Sequence, residues 1–165
     1  MNAKAKIKIL LGPSTFSETD KAPLLKLLEM GFDIIENPFK RKLTKEELLK
    51  LLPGVIGIIA GLEPLDREVL EKSELKVISR CGSGLSNVDL DAAKELGIIV
   101  TNTPLAPVSA VAELTVGCLL ILLRHIPQMD RALHHKKWSK MTGRQLSGMK
   151  VAVIGFGNIG QRVGQ

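Results

Sequence analysis

The run Val55-Ile56-Gly57-Ile58-Ile59 contains no polar residue and follows the breaker Pro53-Gly54. A strand that lacks polar alternation is buried on both faces, which happens almost only in a parallel sheet covered by helices. Parallel neighbours need crossover connections of a dozen or more residues. This one run therefore predicts helices and further strands on either side of it.

The flanks supply them. Ala5, Ile7, Ile9 and Leu11 alternate with Lys6 and Lys8, a first strand with one wetter face, and Gly12-Pro13-Ser14 ends it. Leu24, Leu25, Leu27, Leu28 and Met30 fall at helical spacing, with Gly31 placed at C′. Phe32 to Glu36 reads as a second strand closed by Asn37-Pro38. Thr44 and Glu47 have the spacing of a capping box, and Leu43 and Leu48 that of a hydrophobic staple, for a helix ending at Leu52. Beyond the central run, Asp66 is placed to cap a short helix and Leu75 to Ser79 reads as a strand. Val88 to Leu96 is a helix stopped by Gly97, and Ile98-Ile99-Val100 is the next strand. Such alternation over about a hundred residues predicts an open, doubly wound parallel sheet.

After Thr103-Pro104 the pattern changes. Pro107 to Leu123 reads as one longer helix, apolar around its circumference through Val111, Leu114, Val116, Leu119, Leu120 and Leu122. Helices of that kind are buried within a fold or between subunits. Arg124 to Gly148 is a polar stretch, and Val151-Ala152-Val153-Ile154 predicts a fresh buried strand. The sequence contains no internal repeat and no low-complexity segment.

Composition narrows the function. Apolar residues form 45% of the 165-residue chain and charged residues 24%, as in a globular, soluble protein. The net charge of +6 comes from scattered lysines, and aromatics at 3% offer few stacking platforms, which argues against nucleic-acid binding. A basic balance suits an anionic ligand. Cys81 and Cys118 show neither a CxxC nor metal-ligand spacing, so a reducing compartment and no metal site are expected. The segment Met1 to Leu11 lacks the apolar core of a signal peptide, and Val116 to Leu123 is too short to span a bilayer. A cytoplasmic protein without a membrane partner is the expectation.

Two segments carry chemistry. Gly155, Gly157 and Gly160 form a G-x-G-x-x-G turn directly after a predicted strand. In that motif the first glycine permits the tight turn and the second lets the backbone approach a pyrophosphate. The third allows close helix–strand packing, and the following helix offers N–H groups to the phosphates. A structural glycine-rich turn is the alternative. The second segment, Arg80-Cys81-Gly82-Ser83-Gly84, lies at the carboxyl end of a predicted strand, where open α/β sheets bind ligands. Its glycine-flanked loop is suited to a carboxylate or phosphate, with a charge-assisted contact from Arg80 and a hydroxyl from Ser83. A plain strand-to-helix turn with a solvated Arg80 is the alternative.

Several segments together carry a resemblance. Leu75 to Gly84, Asn87-Val88-Asp89-Leu90, Gly97 to Val100 and Asn102-Thr103-Pro104 stand in an order and spacing similar to the D-isomer-specific 2-hydroxyacid dehydrogenases. Ala112-Glu113-Leu114-Thr115, Trp138 and Leu146 to Gly160 extend the likeness, nearest to the 3-phosphoglycerate dehydrogenase-like members. The resemblance implies a flavodoxin-like substrate domain over residues 1–101. Residues 102–165 would then be the linking helix and the start of a Rossmann dinucleotide-binding domain. It implies NAD as cofactor, with NADP open because the ribose-reading acidic residue, expected ~20 residues beyond the glycines, lies past Gln165.

The same resemblance implies that a small anionic 2-hydroxy or 2-oxo acid meets Arg80, Gly82, Ser83 and Gly84. Ser83 also approaches the cofactor, and Gly155, Gly157, Asn158, Ile159 and Gly160 lie against its pyrophosphate. Family dimers imply a homodimer through the helix 107–123. The family's catalytic arginine, its acidic partner and its histidine fall downstream, so this chain is expected to hold no catalytic residue and to be inactive alone. The other reading is a shortened, non-enzymatic relative that binds an anion or dimerises.

Two positions depart from the family pattern. Ser86 stands where many relatives have aspartate, which predicts a looser turn. Ala60-Gly61-Leu62-Glu63-Pro64 replaces the arginine and hydroxyl residues of phosphoglycerate-specific relatives, and Glu63 would repel a phosphate. Among single residues, Glu113 is expected to be a hydrogen-bonded structural carboxylate and Arg124 a helix C-terminal cation. Cys81 and Trp138 are expected as packing residues, and His125, His134 and His135 as surface groups.

Overall fold

A computed structural model describes residues 6–165, so Ala5 of the first expected strand lies outside the described residues. The chain divides into two compact units, Met1–Pro104 and Leu105–Gln165.

The first unit is built on five parallel strands: β1 (Lys8–Leu11), β2 (Asp33–Glu36), β3 (Val55–Ala60), β4 (Val77–Arg80) and β5 (Ile99–Asn102). Their order is β2-β1-β3-β4-β5, every neighbouring pair parallel. The apolar run that anchored the sequence reading is β3, at the centre. The helices between strands are α1 (Ala22–Glu29), α2 (Lys45–Leu51), α3 (Arg67–Glu71) and α4 (Leu90–Glu95).

Topology decides which face each helix covers. Right-handed crossovers that step from β2 through β3 and β4 to β5 put α2, α3 and α4 on one face. The step from β1 to β2 runs the other way and puts α1 on the opposite face. The core obeys this division. Leu48, Leu52, Val69, Leu70, Ala92 and Ala93 from α2–α4 and their flanks meet Leu10, Val55, Ile58 and Ile78 from the strands, whereas α1 contributes no buried residue. On the α1 side, Ile7, Ile9, Leu27, Phe32 and Val77 line an open apolar hollow of about 380 Å³.

Local chemistry sets the helix starts. The Thr44 hydroxyl accepts from the Glu47 N–H while the Glu47 carboxylate accepts from the Thr44 N–H, completing the capping box, and Leu43 and Leu48 are both buried beneath it. Asp66 and Asp89 accept from Val69 and Ala92 and start α3 and α4 in the same way. Val88, expected in a helix, instead forms an isolated parallel bridge with Leu65.

The second unit holds α5 (Val108–Leu123), α6 (Ile126–His134) and α7 (Asn158–Val163). Helix α6 falls inside the stretch read only as polar; Pro127 lies in its first turn, and His125 before it takes a left-handed conformation. Val151–Ile154, expected as a buried strand, is irregular and exposed. A parallel strand needs a ladder partner, and this unit has no strand among the described residues. Trp138, expected to pack, is 84% exposed for the same reason: no element of its unit covers it. Among the described residues no single helix is long and apolar enough to cross a membrane; α5 and α6 pass that test only as a pair bent by 66°.

Candidate functional site

Hydrogen-bonded polar groups gather at the carboxyl ends of the strands of the first unit. Arg80 ends β4 with its side chain on the core face, 8% exposed. Its guanidinium donates to the Cys81 carbonyl, and its Nε is the one buried side-chain nitrogen or oxygen without a hydrogen bond among the described residues. Gly82 follows at φ 144°, a conformation side-chain-bearing residues rarely adopt, and a Cβ there would fall on the Arg80 guanidinium. Arg80 thus lies beneath the loop instead of standing solvated beside it. Cys81, expected to pack, is exposed, with its N–H tied to the Ala60 carbonyl.

Three further bonds fix the loop from β5. The Gly82 N–H donates to the Thr103 hydroxyl at 3.0 Å, the Thr103 N–H donates back to the Gly82 carbonyl, and the Asn102 amide donates to the Ser83 carbonyl at 2.8 Å. Gly82 therefore has no free amide for a ligand. Ser83 and Gly84 are exposed, and neither N–H donates to another group among the described residues. Adjacent free amides on a clamped loop are groups that an anion can accept from. Asn102 and Thr103 were legible as part of a motif, but nothing in the sequence said what they hold.

The turn after β4 is firm despite Ser86. The Asn87 amide donates to the carbonyls of Gly61 and Glu63 at 3.2 and 2.8 Å, and Asp89 caps α4. Glu63 itself is 1% exposed, with its carboxylate accepting from the Gly61 N–H at 2.6 Å. Asn37, after β2, donates to the carbonyls of Gly12 and Arg41, both at 2.7 Å.

In the second unit the glycine turn has the conformations its motif requires. Gly155 sits at φ 90°, Gly157 is the N-cap of α7, and a Cβ on Gly160 would fall on the Gly155 carbonyl. No atom lies within 4 Å of where a Cβ on Gly157 would be, which leaves the close approach open for a pyrophosphate oxygen. Asn158 is exposed and Ile159 half-buried, at the first positions of α7.

The remaining candidates separate from these two loops. Glu113, expected to be a bonded structural carboxylate, is exposed on α5 beside Gly117 and Arg162. Arg124 is the C-cap of α5. His134 is exposed, 3.5 Å from Asp130 one turn earlier. Among the described residues no group of three His, Cys, Asp or Glu side chains is arranged to hold a metal.

Comparison with known proteins agrees with this arrangement. The family described as D-isomer specific 2-hydroxyacid dehydrogenase, catalytic domain, matches residues 15–158. A Thermotoga maritima protein named hydroxypyruvate reductase is 42% identical over 125 residues, covering 73% of this chain and 41% of that one. A Methanocaldococcus jannaschii D-3-phosphoglycerate dehydrogenase is 42% identical over 143 residues, 84% of this chain and 27% of that one. The NAD⁺-bound 3-phosphoglycerate dehydrogenase of Entamoeba histolytica superposes with a TM-score of 0.75 at 25% identity, covering 97% of this chain and 50% of that one. The chain thus spans half or less of the length of each.

Proposed function

Because the chain belongs to the D-isomer specific 2-hydroxyacid dehydrogenase family, we propose that it is the N-terminal portion of an NAD-dependent oxidoreductase acting on a 2-hydroxy or 2-oxo acid. The observation that carries this reading is the pair of free amides at Ser83 and Gly84 on a loop held rigid from beneath by Arg80 and from the side by Asn102 and Thr103. Those amides bind the substrate carboxylate. Arg80 supports the loop and adds positive potential to it. The Ser83 hydroxyl, exposed at the same place, is the side-chain group nearest in sequence to the bound acid and approaches the cofactor.

Gly155, Gly157, Asn158, Ile159 and Gly160 receive the dinucleotide pyrophosphate, with Gly157 leaving the backbone open and the first turn of α7 offering N–H groups. The nicotinamide, when bound, supplies the hydride acceptor or donor. NAD is the cofactor of this reading and NADP its alternative. Helix α5, with Leu114 and Leu122 exposed at 66% and 68%, packs against a second copy in a homodimer. The assembly works in the cytoplasm.

The test uses the chain extended by a relative's downstream half. Mixed with NAD⁺ and a panel of small 2-hydroxy acids, the extended protein is expected to generate NADH, and the 165-residue chain to generate none. Silence of a folded extended protein across the panel refutes the reading.

A further inference from the structure

The two units differ in charge. Met1–Pro104 holds fifteen Lys and Arg against fifteen Asp and Glu, whereas Leu105–Gln165 holds eight against two. The whole net charge of +6 therefore lies in the second unit. In the first unit Arg41, Lys45, Arg67 and Lys72 pair with carboxylates. In the second, Arg131, Lys136, Lys137, Lys140 and Arg144 have no ion-pair partner among the described residues.

Apolar groups stand exposed in the same stretch. Ile126, Met129 and Leu133 fall on one side of α6, and no residue of that helix is buried. Leu133 is 54% exposed. At the helix end Lys136 takes a left-handed conformation, with the Lys136 and Lys137 N–H groups donating to the Leu133 and Ala132 carbonyls. That turn fixes Lys136-Lys137-Trp138 directly after the apolar stripe, with Trp138 84% exposed and Lys140 and Met141 exposed beyond it.

An apolar stripe, a tryptophan and unpaired lysines in succession suit a helix lying in a membrane interface. The stripe enters the acyl boundary, the indole sits at headgroup level and the cations meet anionic lipid. The other occupants each lack a complement. A second copy would bring its own cationic unit to these cations. A single-stranded nucleic acid needs successive aromatic platforms, and this stretch has one. We infer that α6 and the segment through Met141 form a peripheral docking surface for an anionic lipid membrane. A chain without a spanning segment can lie on a membrane in this way, so the expectation of no membrane partner gives way to a surface contact.

Trp138 is the single tryptophan and reports the contact directly. The 165-residue chain is titrated at low salt with vesicles of phosphatidylcholine alone, or of phosphatidylcholine mixed with phosphatidylglycerol. Its emission is expected to move saturably to shorter wavelength with the anionic vesicles only, and to return as salt is added. Each of Lys136→Gln, Lys137→Gln and Lys140→Gln is expected to weaken binding roughly 5-fold.

Emission that anionic vesicles leave unchanged, or that both kinds shift equally, overturns the inference. So do lysine variants that are folded by circular dichroism yet bind as the wild type does. A shift that appears when the chain alone is concentrated would assign the surface to a second copy. A saturable quench by polyuridylate at lower concentration than by vesicles would assign it to nucleic acid, and either result overturns the inference. None of these readouts involves hydride transfer, so they stand apart from the proposed function.

Discussion

Two adjacent residues of β4 test the division of the sheet into a packed and an open face. Ile78 is 0% exposed and points into the layer under α2–α4, while Val77 is 39% exposed on the α1 side. Ile78→Ala removes three carbons from full burial, about 2.4 kcal/mol at ~0.8 kcal/mol per methylene. The unfilled space raises the total into the range of about 2–5 kcal/mol. Val77→Ala removes two carbons that are already partly wet, and its cost is expected below about 1 kcal/mol. Against a stability of roughly 5–15 kcal/mol for a domain, the first change is severe and the second mild.

Urea unfolding followed by far-UV circular dichroism measures both. Tryptophan fluorescence is unsuitable, because the single tryptophan, Trp138, belongs to the other unit and is 84% exposed. Coincident midpoints for the two variants would refute the assignment of faces, since helix placement derived from crossover handedness would then be wrong.

Thr44→Ala removes the capping-box acceptor and is expected to cost about 1 kcal/mol in the same urea assay; an unchanged midpoint would show that Arg41 and Glu47 hold the helix start unaided. Hydrogen bonds from Lys45 and then Lys72 draw the Glu68 carboxyl from 4.5 down to about 2. Its folded pKa is depressed, so its contribution is complete above pH 4.5 and fades as pH falls toward 2. At low salt the Tm difference between wild type and Glu68→Gln should shrink across that window; a constant difference would mean the pairing is not electrostatic.

The parts of the fold that the sequence made legible are those decided locally. An apolar run bounded by Pro53-Gly54 became the central strand, and Thr44 and Asp66 became N-caps, whereas Asp89, read inside a helix from Val88, is the cap of one that starts at Leu90. Val151–Ile154 had the composition of a strand, yet a strand is a relation between two segments and the second is not in this unit. Helix α6 was hidden because its charged residues mask a short apolar stripe of Ile126, Met129 and Leu133.

At the candidate site, glycine conformations followed from the motif, since positive φ at Gly82 and Gly155 is a backbone requirement. The partners of Arg80, Asn87 and Glu63 did not. Those side chains reach groups 24 to 26 residues away or fold back on their own loop, and no periodicity encodes that.

The small bridge between Leu65 and Val88 has a dynamic consequence. The Leu65 N–H donates to the Asn87 carbonyl and the Asp89 N–H donates to the Leu65 carbonyl, while the Asn87 side chain grips the Gly61 and Glu63 carbonyls. The segments after β3 and after β4 are thereby fastened to each other from Gly61 to Leu65, outside the main ladder. Neither can peel from the sheet alone, so their amides exchange with solvent in a single opening event of common rate. The loops after β3 and β4 thus open together, and the side chain that couples them is Asn87.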